Sequence, residues 1–282
     1  MLDRQVLGDE GGQVNRPAWA GPEIDVDKPS AARIYDAHLG GFHNFQVDRE
    51  AAAKIVAFMP ELPDIMRANR SFLRRAVRHL VDRGVTQFLD LGSGIPTVGN
   101  VHEIAWKANP LCRIVYVDAD PVAVSHSRNI LAGSTLATAV QGDLRRPQDI
   151  LGDPETQRLL DFSQPIAVLM FAVLHFVADE DDPAGIIRSY LDATVPGSYL
   201  AISHASLEGP EPERVEEATQ QFRRSVTDFS MRTRAEITGL FDGLELLDPG
   251  VVYLPEWRPD TGDEIGDAKR TSTFAGVARK RD

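Results

Sequence analysis

Apolar positions along this chain change their period near residue 85. Between residues 29 and 84 they recur at helical spacing. Ser30 can cap a helix over 31–39 that Gly40–Gly41 ends, and a second helix is expected over 48–58, closed by Pro60. A third begins at Ser71, where Phe72, Leu73, Ala76, Val77, Leu80 and Val81 form one stripe that Gly84 stops. From residue 85 onward, short apolar runs alternate with helical ones. VTQFLDL (85–91), CRIVYVD (112–118), LATAVQG (136–142), PIAVLMFAVLHF (165–176) and SYLAISH (198–204) read as strands. Helices are expected between them at about 98–109, 120–131 and 182–196. Two more should follow at 211–228 and 233–241, the latter opened by the Thr233–Glu236 capping box. LELLDPGVVYL (244–254) and STFAGVARK (272–280) read as a final strand pair.

Strand–helix alternation predicts an α/β fold with a mainly parallel sheet. The nearly continuous apolar run at 165–176 belongs at its centre, where both faces are covered. Residues 1–28 are polar, rich in glycine and acids, and read as a tail. The expected division is therefore a tail at 1–28, a helical extension at 29–84 and an α/β domain at 85–282.

Composition narrows the partners. With 43% hydrophobic and 26% charged residues over 282 positions, the chain can bury a full-sized core. Thirty basic against 42 acidic residues give a net charge of −12, which disfavours phosphate backbones, so nucleic acid is not an expected partner. The pairs Arg74–Arg75, Arg145–Arg146 and Arg223–Arg224 read as solvated faces. A single cysteine, Cys112, allows no intrachain disulfide and no cysteine-based metal site, and is expected in the core. This usage suits a reducing cytoplasm. The longest apolar run, 166–174, is far short of the ~20 residues that span a bilayer. The acidic N-terminus has no signal-peptide pattern, so a cytoplasmic protein without membrane contact is expected.

Three strand ends carry candidate chemistry. FLDLGSG (88–94) runs a buried strand through Asp90 into a glycine turn, and ligands in open α/β sheets bind at the carboxyl ends of strands. Asp118 ends the second strand, 24 residues after Gly94, where an acid can hold both hydroxyls of a ribose. Asp143 ends the third strand, placed to accept from an adenine amino group. Together they suggest an adenosine-type site. A dinucleotide would want Gly-x-Gly-x-x-Gly, and here Thr97 stands at the third glycine position after Pro96. S-adenosylmethionine carries no phosphate and fits the order Asp90–Gly92–Gly94, Asp118, Asp143 better.

These motifs, with the apolar fourth strand, resemble those of class I S-adenosylmethionine-dependent methyltransferases. PSAARIYDAHLGGFHNF (29–45), LDLGSGIPTVGNVHE (89–103) and AVLHFVADEDDP (172–183) are similar to one family of them, the S-adenosyl methyltransferases, formerly catalogued as a domain of unknown function. The similarity runs from about residue 28 to the C-terminus. It implies a Rossmann-like, seven-stranded sheet with an antiparallel last strand, and S-adenosyl-L-methionine as cofactor. It implies cofactor contacts at Gly92, Ser93 and Gly94, at Asp118 with Ala119, and at Asp143 with Gly142 and Leu144. It also implies that the segment from Phe171 and Ala172 to His175 faces the transferred methyl. The family brings no agreed acceptor. A small molecule is expected, with an NAD(P)-dependent oxidoreductase or a non-catalytic cofactor-binding regulator as alternatives.

The extension is dense in polar and aromatic groups at Tyr35, Asp36, His38, His43 and Asn44. A lid in which Tyr35 and Asn44 reach the cofactor is one expectation, and a packed helical extension is the other. His175 and His204 end the fourth and fifth strands and are candidate bases, His175 the favoured one, although aligned methyl transfer does not require a base. No metal site is expected. Asp182 in the acidic run 179–182 is read as a helix cap before Pro183.

Overall fold

The computed structural model describes residues 25–96, 99–206, 208–209, 220, 229–263 and 265–281. The tail over 1–24, Thr97, Val98, the arginine pair 223–224 and nearly all of the expected helix at 211–228 lie outside the described residues.

Three helices come first: α1 (Ala31–His38), α2 (Gln46–Phe58) and α3 (Leu62–Asp82). The last starts nine residues before the expected Ser71. Pro63 sits in its first turn, where the missing N–H is no loss, so the proline opens the helix instead of breaking it. Then β1 (Gln87–Leu91), α4 (Val101–Ala108), β2 (Arg113–Asp118), α5 (Pro121–Ile130) and β3 (Ala137–Gln141) alternate as the sequence predicts. Two short proline-led helices, α6 (Pro147–Leu151) and α7 (Pro154–Leu159), lead to β4 (Ala167–Phe171). After it come α8 (Pro183–Asp192), β5 (Tyr199–Ala205), α9 (Arg234–Gly239), β6 (Glu245–Leu246), β7 (Val252–Tyr253) and β8 (Thr273–Arg279).

The strands form one mixed sheet of eight, in the order β3-β2-β1-β4-β5-β8-β6, with β7 also on β8. The first five run parallel, and β8 pairs antiparallel with β5. The count is eight, not seven, because the run at 244–254 is interrupted at Asp248–Pro249–Gly250 and yields two separate two-residue strands.

Alternate strand residues feed two cores, as the pleat requires. Leu89, Leu91, Val115, Val168 and Met170 pack with α6, α7 and α8 on one face. Phe88, Ile114, Tyr116, Leu169 and Cys112 pack with α3, α4 and α5 on the other. Arg75 corrects one reading: it is buried, and its guanidinium donates to the carbonyls of Trp257 (2.9 Å) and Leu254 (2.7 Å). Neighbouring Arg74 stays half-exposed and pairs with Asp260 at 2.7 Å. Helices α1 and α2 build a third, smaller core with the start of α3, through Ile34, Ile55, Leu62 and Met66. Asp48 Oδ2 receives the buried Arg33 Nε at 2.9 Å and the Phe45 N–H at 2.8 Å, closing the first turn of α2.

Candidate active site

The strand order reverses between β1 and β4, and a cavity of about 360 Å³ opens along the carboxyl edge of the sheet there. That volume is within the usual range of small-molecule sites. Asp90, Gly92, Ser93, Gly94, Asp118, Ala119, Gly142, Asp143 and Leu144 line one half. Tyr35, Phe171, Ala172 and His175 line the other, together with apolar residues of α3 and Phe229.

The glycine turn is built by close approach. Gly92 has φ +73°, and a Cβ on it would stand 2.3 Å from Val173 Cγ2 in the loop after β4. Gly94 has φ +67° and open space where its Cβ would be. The Gly92 and Ser93 N–H groups donate to the Val117 carbonyl at 2.8 and 3.0 Å. The Gly94 N–H donates to Asp118 Oδ2 at 2.7 Å, and Asp118 Oδ1 takes the Asp120 N–H at 2.8 Å. Asp118 is therefore fixed by backbone donors while both oxygens keep a further lone pair. Asp120 supplies the cap of α5 by accepting the Val122 N–H at 2.7 Å, as its position before Pro121 predicts.

Burial pushes the Asp90 carboxyl up to about 7, against the opposing pull of Arg70 and with help from Asp118. Burial likewise raises Asp118 to about 6, although its backbone hydrogen bonds act the other way. Two acids lifted by desolvation in one cavity form a site that a cation would complete. Asp143 is different. Arg145 grips both its oxygens, with Nη2 at 2.6 Å from Oδ2, and that hydrogen bond holds the carboxyl below its ordinary value. Arg145 also reaches Asp181 at 3.4 Å, and both it and Arg146 stay exposed, as the solvated-face reading expects.

β4 stops at Phe171, five residues before the expected strand end. Ala172 follows with φ +51°, a left-handed conformation that costs a non-glycine residue roughly 1–2 kcal/mol. It is held there by Ser203, whose carbonyl and hydroxyl oxygens both accept the Ala172 N–H, at 3.0 and 2.9 Å. Backbone strain of this kind gathers at functional sites. Ser203 Oγ donates to Asn69 Oδ1 at 2.6 Å, Asn69 Nδ2 donates to the Tyr35 hydroxyl at 3.2 Å, and that hydroxyl donates to the Met66 carbonyl at 3.2 Å. A polar chain thus joins β5, α3 and α1 behind the cavity.

His175 consequently does not end a strand. It sits in a 3₁₀ turn (Leu174–Phe176) with its ring 4.4 Å from that of Phe176 and 4.9 Å from that of Phe229. Its Nδ1 is buried without a hydrogen-bond partner. Burial first, then the neighbouring His204 and Arg232, holds its pKa well below the ordinary histidine value, so the ring stays neutral. His204, at 0% exposure in β5, is depressed to about 4, chiefly by burial. Its Nδ1 contacts the Ala205 carbonyl at 2.7 Å and its Nε2 lies 2.7 Å from Arg232 Nη1, which fixes the tautomer with the proton on Nδ1.

Asn44 is not brought to the cavity. Its amide donates to Asp36 Oδ2 at 2.8 Å and to the Gly41 carbonyl at 2.9 Å, which binds the turn after α1. Sequence reasoning missed Asn69, Arg70 and Arg232. The first two precede Ser71, where the helix is expected to begin, and Pro63 as a first-turn proline is the signal that carries the helix back through them. Arg232 has no periodic context to flag it. Asp182 caps α8 through the Gly185 N–H at 2.9 Å, and among the described residues no group of three or more His, Cys, Asp or Glu could hold a metal ion. Among those residues, too, no helix is long and apolar enough to cross a membrane.

Comparison with known proteins bears on this geometry. The sequence model of the S-adenosyl methyltransferase family matches residues 17–281. A candidate methyltransferase from Thermobifida fusca YX has a similar crystal structure, with 37% identity, a TM-score of 0.89, and coverage of 94% of this chain and 100% of that one. A DUF574 family protein from Streptomyces avermitilis MA-4680 is 40% identical at a TM-score of 0.87, over 91% of this chain and 99% of that one. No curated protein matches the chain.

Proposed function

The chain belongs to the S-adenosyl methyltransferase family and is an S-adenosylmethionine-dependent methyltransferase; from that premise we propose that its acceptor is a small molecule bound beside Ala172 and His175. The observation that carries this reading is the single cavity that runs from the three strand-end acids to the loop after β4.

The residues fit the cofactor. The open face of Gly94 admits a ligand close to the backbone, and the desolvated Asp90 and Asp118 call for positive charge and hydroxyl donors. Asp118 would hold the ribose. Asp90 would face the methionyl ammonium, with Arg70 beside it for the carboxylate. Leu144, with Gly142 and Ala119, would flank the adenine, and Asp143, kept ionised by Arg145, would accept from its amino group. Bound S-adenosylmethionine supplies a methyl on a cationic sulfur, which an acceptor lone pair takes as the carbon–sulfur bond breaks and sulfur keeps the pair.

The chain's part is alignment and exclusion of water. The extension at 29–84 walls the cavity through Ile34, Tyr35, Leu62, Ile65 and Met66, which supports reading it as a cover over the α/β domain at 85–282. Ala172, held in its left-handed conformation, would set where the loop meets the acceptor. His175, neutral and poor at holding a proton, would act as a contact that positions the acceptor instead of a base.

Calorimetric titration with S-adenosylmethionine, S-adenosylhomocysteine and NADH tests the reading. Micromolar binding of the first two, lost in Asp118→Ala, is expected. Binding of NADH alone would overturn it.

A further inference from the structure

The half of the cavity beyond β4 differs in chemistry from the half at the strand-end acids. Of the charged lining residues, Asp90, Asp118, Asp143 and Arg145 lie at or just after the strand ends, and Arg70 stands between the halves on α3, where its charge reaches both Asp90 and Tyr35. Arg70 donates to the Gly99 carbonyl at 3.0 Å in the loop after β1, and Arg145 is bound to Asp143. The second half is walled by Met59, Met66, Met231, Phe176, Phe229 and the neutral ring of His175.

His175 Nδ1 is left without a partner here, while most other polar groups of this half are engaged within the protein. The Tyr35 hydroxyl, the Asn69 amide and the Ser203 hydroxyl form one closed chain, and the hydroxyls of Thr271 and Thr273 donate to the carbonyls of Ala268 and Thr271, each at 2.8 Å. An ionised acceptor entering here would lose its hydration, and the cation behind the His175 wall, Arg232, is already paired with Asp179 at 2.6 Å. A flat apolar one would gain. The rings of Phe176, Phe229 and His175 lie with centroids 4.4–5.7 Å apart and offer faces and edges for a further ring. The methionine sulfurs are polarizable and adapt to such a surface.

We infer that the methyl acceptor is an uncharged, predominantly apolar compound built around an aromatic ring. The inference rests on the methyl-transfer reading of the same cavity. It assigns two half-buried lining residues as specificity-determining: Met59, which packs in the cluster with Phe176, Phe229 and Met231, and Ile65 on α3.

A neutral fluorescent probe, N-phenyl-1-naphthylamine, tests this on the full chain, titrated with and without S-adenosylhomocysteine. Saturable binding is expected, with displacement by 2-naphthol at least tenfold more effective than by the 2-naphthoate anion. Met59→Asp and Ile65→Asp should each weaken probe binding at least tenfold while calorimetric binding of S-adenosylhomocysteine stays within twofold. Met59→Leu should bind the probe like the parent and controls for folding. Preference for the naphthoate, absence of saturable probe binding, or Asp variants that bind the probe like the parent would overturn the inference. Failure of S-adenosylhomocysteine to bind would instead strike the methyl-transfer reading, and the probe titration without it would still judge the chamber.

Discussion

Arg33 Nη1 lies 3.5 Å from Asp120 Oδ2, which ties the first helix of the extension to the residue that caps α5. Ser30 donates its hydroxyl to the same oxygen, and the Asp120 N–H holds Asp118. A cation in the extension is thus two contacts from the acid assigned to the ribose. Arg33 is 4% exposed and its other partner, Asp48, is 0% exposed. Removing one member of a buried pair leaves an uncompensated charge and costs about 3–5 kcal/mol. Arg33→Ala should therefore lower the unfolding free energy in urea by about 3 kcal/mol. It should also weaken S-adenosylhomocysteine binding several-fold in calorimetry. A variant with the parent's urea midpoint and affinity would mean that the latch does nothing.

Gly92 sits where two loops touch. A side chain there would meet Val173 at 2.3 Å and would have to adopt φ +73°. Gly92→Ala should push the β1 turn and the β4 loop apart and reduce S-adenosylhomocysteine affinity at least tenfold. The double variant Gly92→Ala with Val173→Ala should regain part of the loss, because the truncated valine makes room. Equal loss in both variants would place the defect in backbone strain alone.

How much of this could be read from the chain depended on range. The alternation from residue 85, the acids at the ends of β1 and β2, and the caps at Asp120, Asp182 and Thr233 all follow from patterns a few residues long, and the structure places them as expected. Where β4 ends was not legible. Its apolar run continues through Ala172 to Phe176, and only the donor–acceptor match with Ser203, 31 residues later, turns the backbone out of the sheet. The same holds for Arg75 and Arg232. Each is an ordinary surface-type residue in sequence, buried here because carbonyls from distant segments converge on it. Short-range periodicity carries no record of such meetings.

If Asp90 faces the cofactor as proposed, cofactor binding should depend on pH. Its carboxyl is raised from 3.8 to about 7 in the unliganded fold. A raised acid favours the protonated folded form, so its contribution to stability is full below pH 4 and is lost as pH rises through 7. A cationic ligand favours the ionised form instead. S-adenosylhomocysteine carries the methionyl ammonium, so its affinity should rise from pH 6 to pH 8, with proton release on binding near pH 6. Calorimetry in buffers of different ionisation enthalpy reads that release directly. Asp90→Asn should bind more weakly and lose most of the slope, and a parent protein with flat affinity over this range would remove Asp90 from the site.

Arg232 holds the far wall together. It is 5% exposed and donates to the carbonyls of Leu174 (3.0 Å) and Val177 (2.9 Å), to Asp179 (2.6 Å) and to His204 Nε2 (2.7 Å). Its charge helps to depress both His204, at about 4, and His175. Histidines depressed below their unfolded value bind fewer protons when folded, so their effect on stability worsens as pH falls from about 6.5 towards 4. Arg232→Met removes the cation and leaves buried carbonyls without donors. It should destabilise the protein by about 3 kcal/mol at pH 7.5, since each stranded buried acceptor costs about 1–3 kcal/mol. It should also raise the His204 imidazole pKa measured by NMR titration, and so make the acid limb of the stability curve shallower. An unchanged His204 titration in a folded Arg232→Met protein would show that burial alone sets its value and that the arginine serves only the backbone.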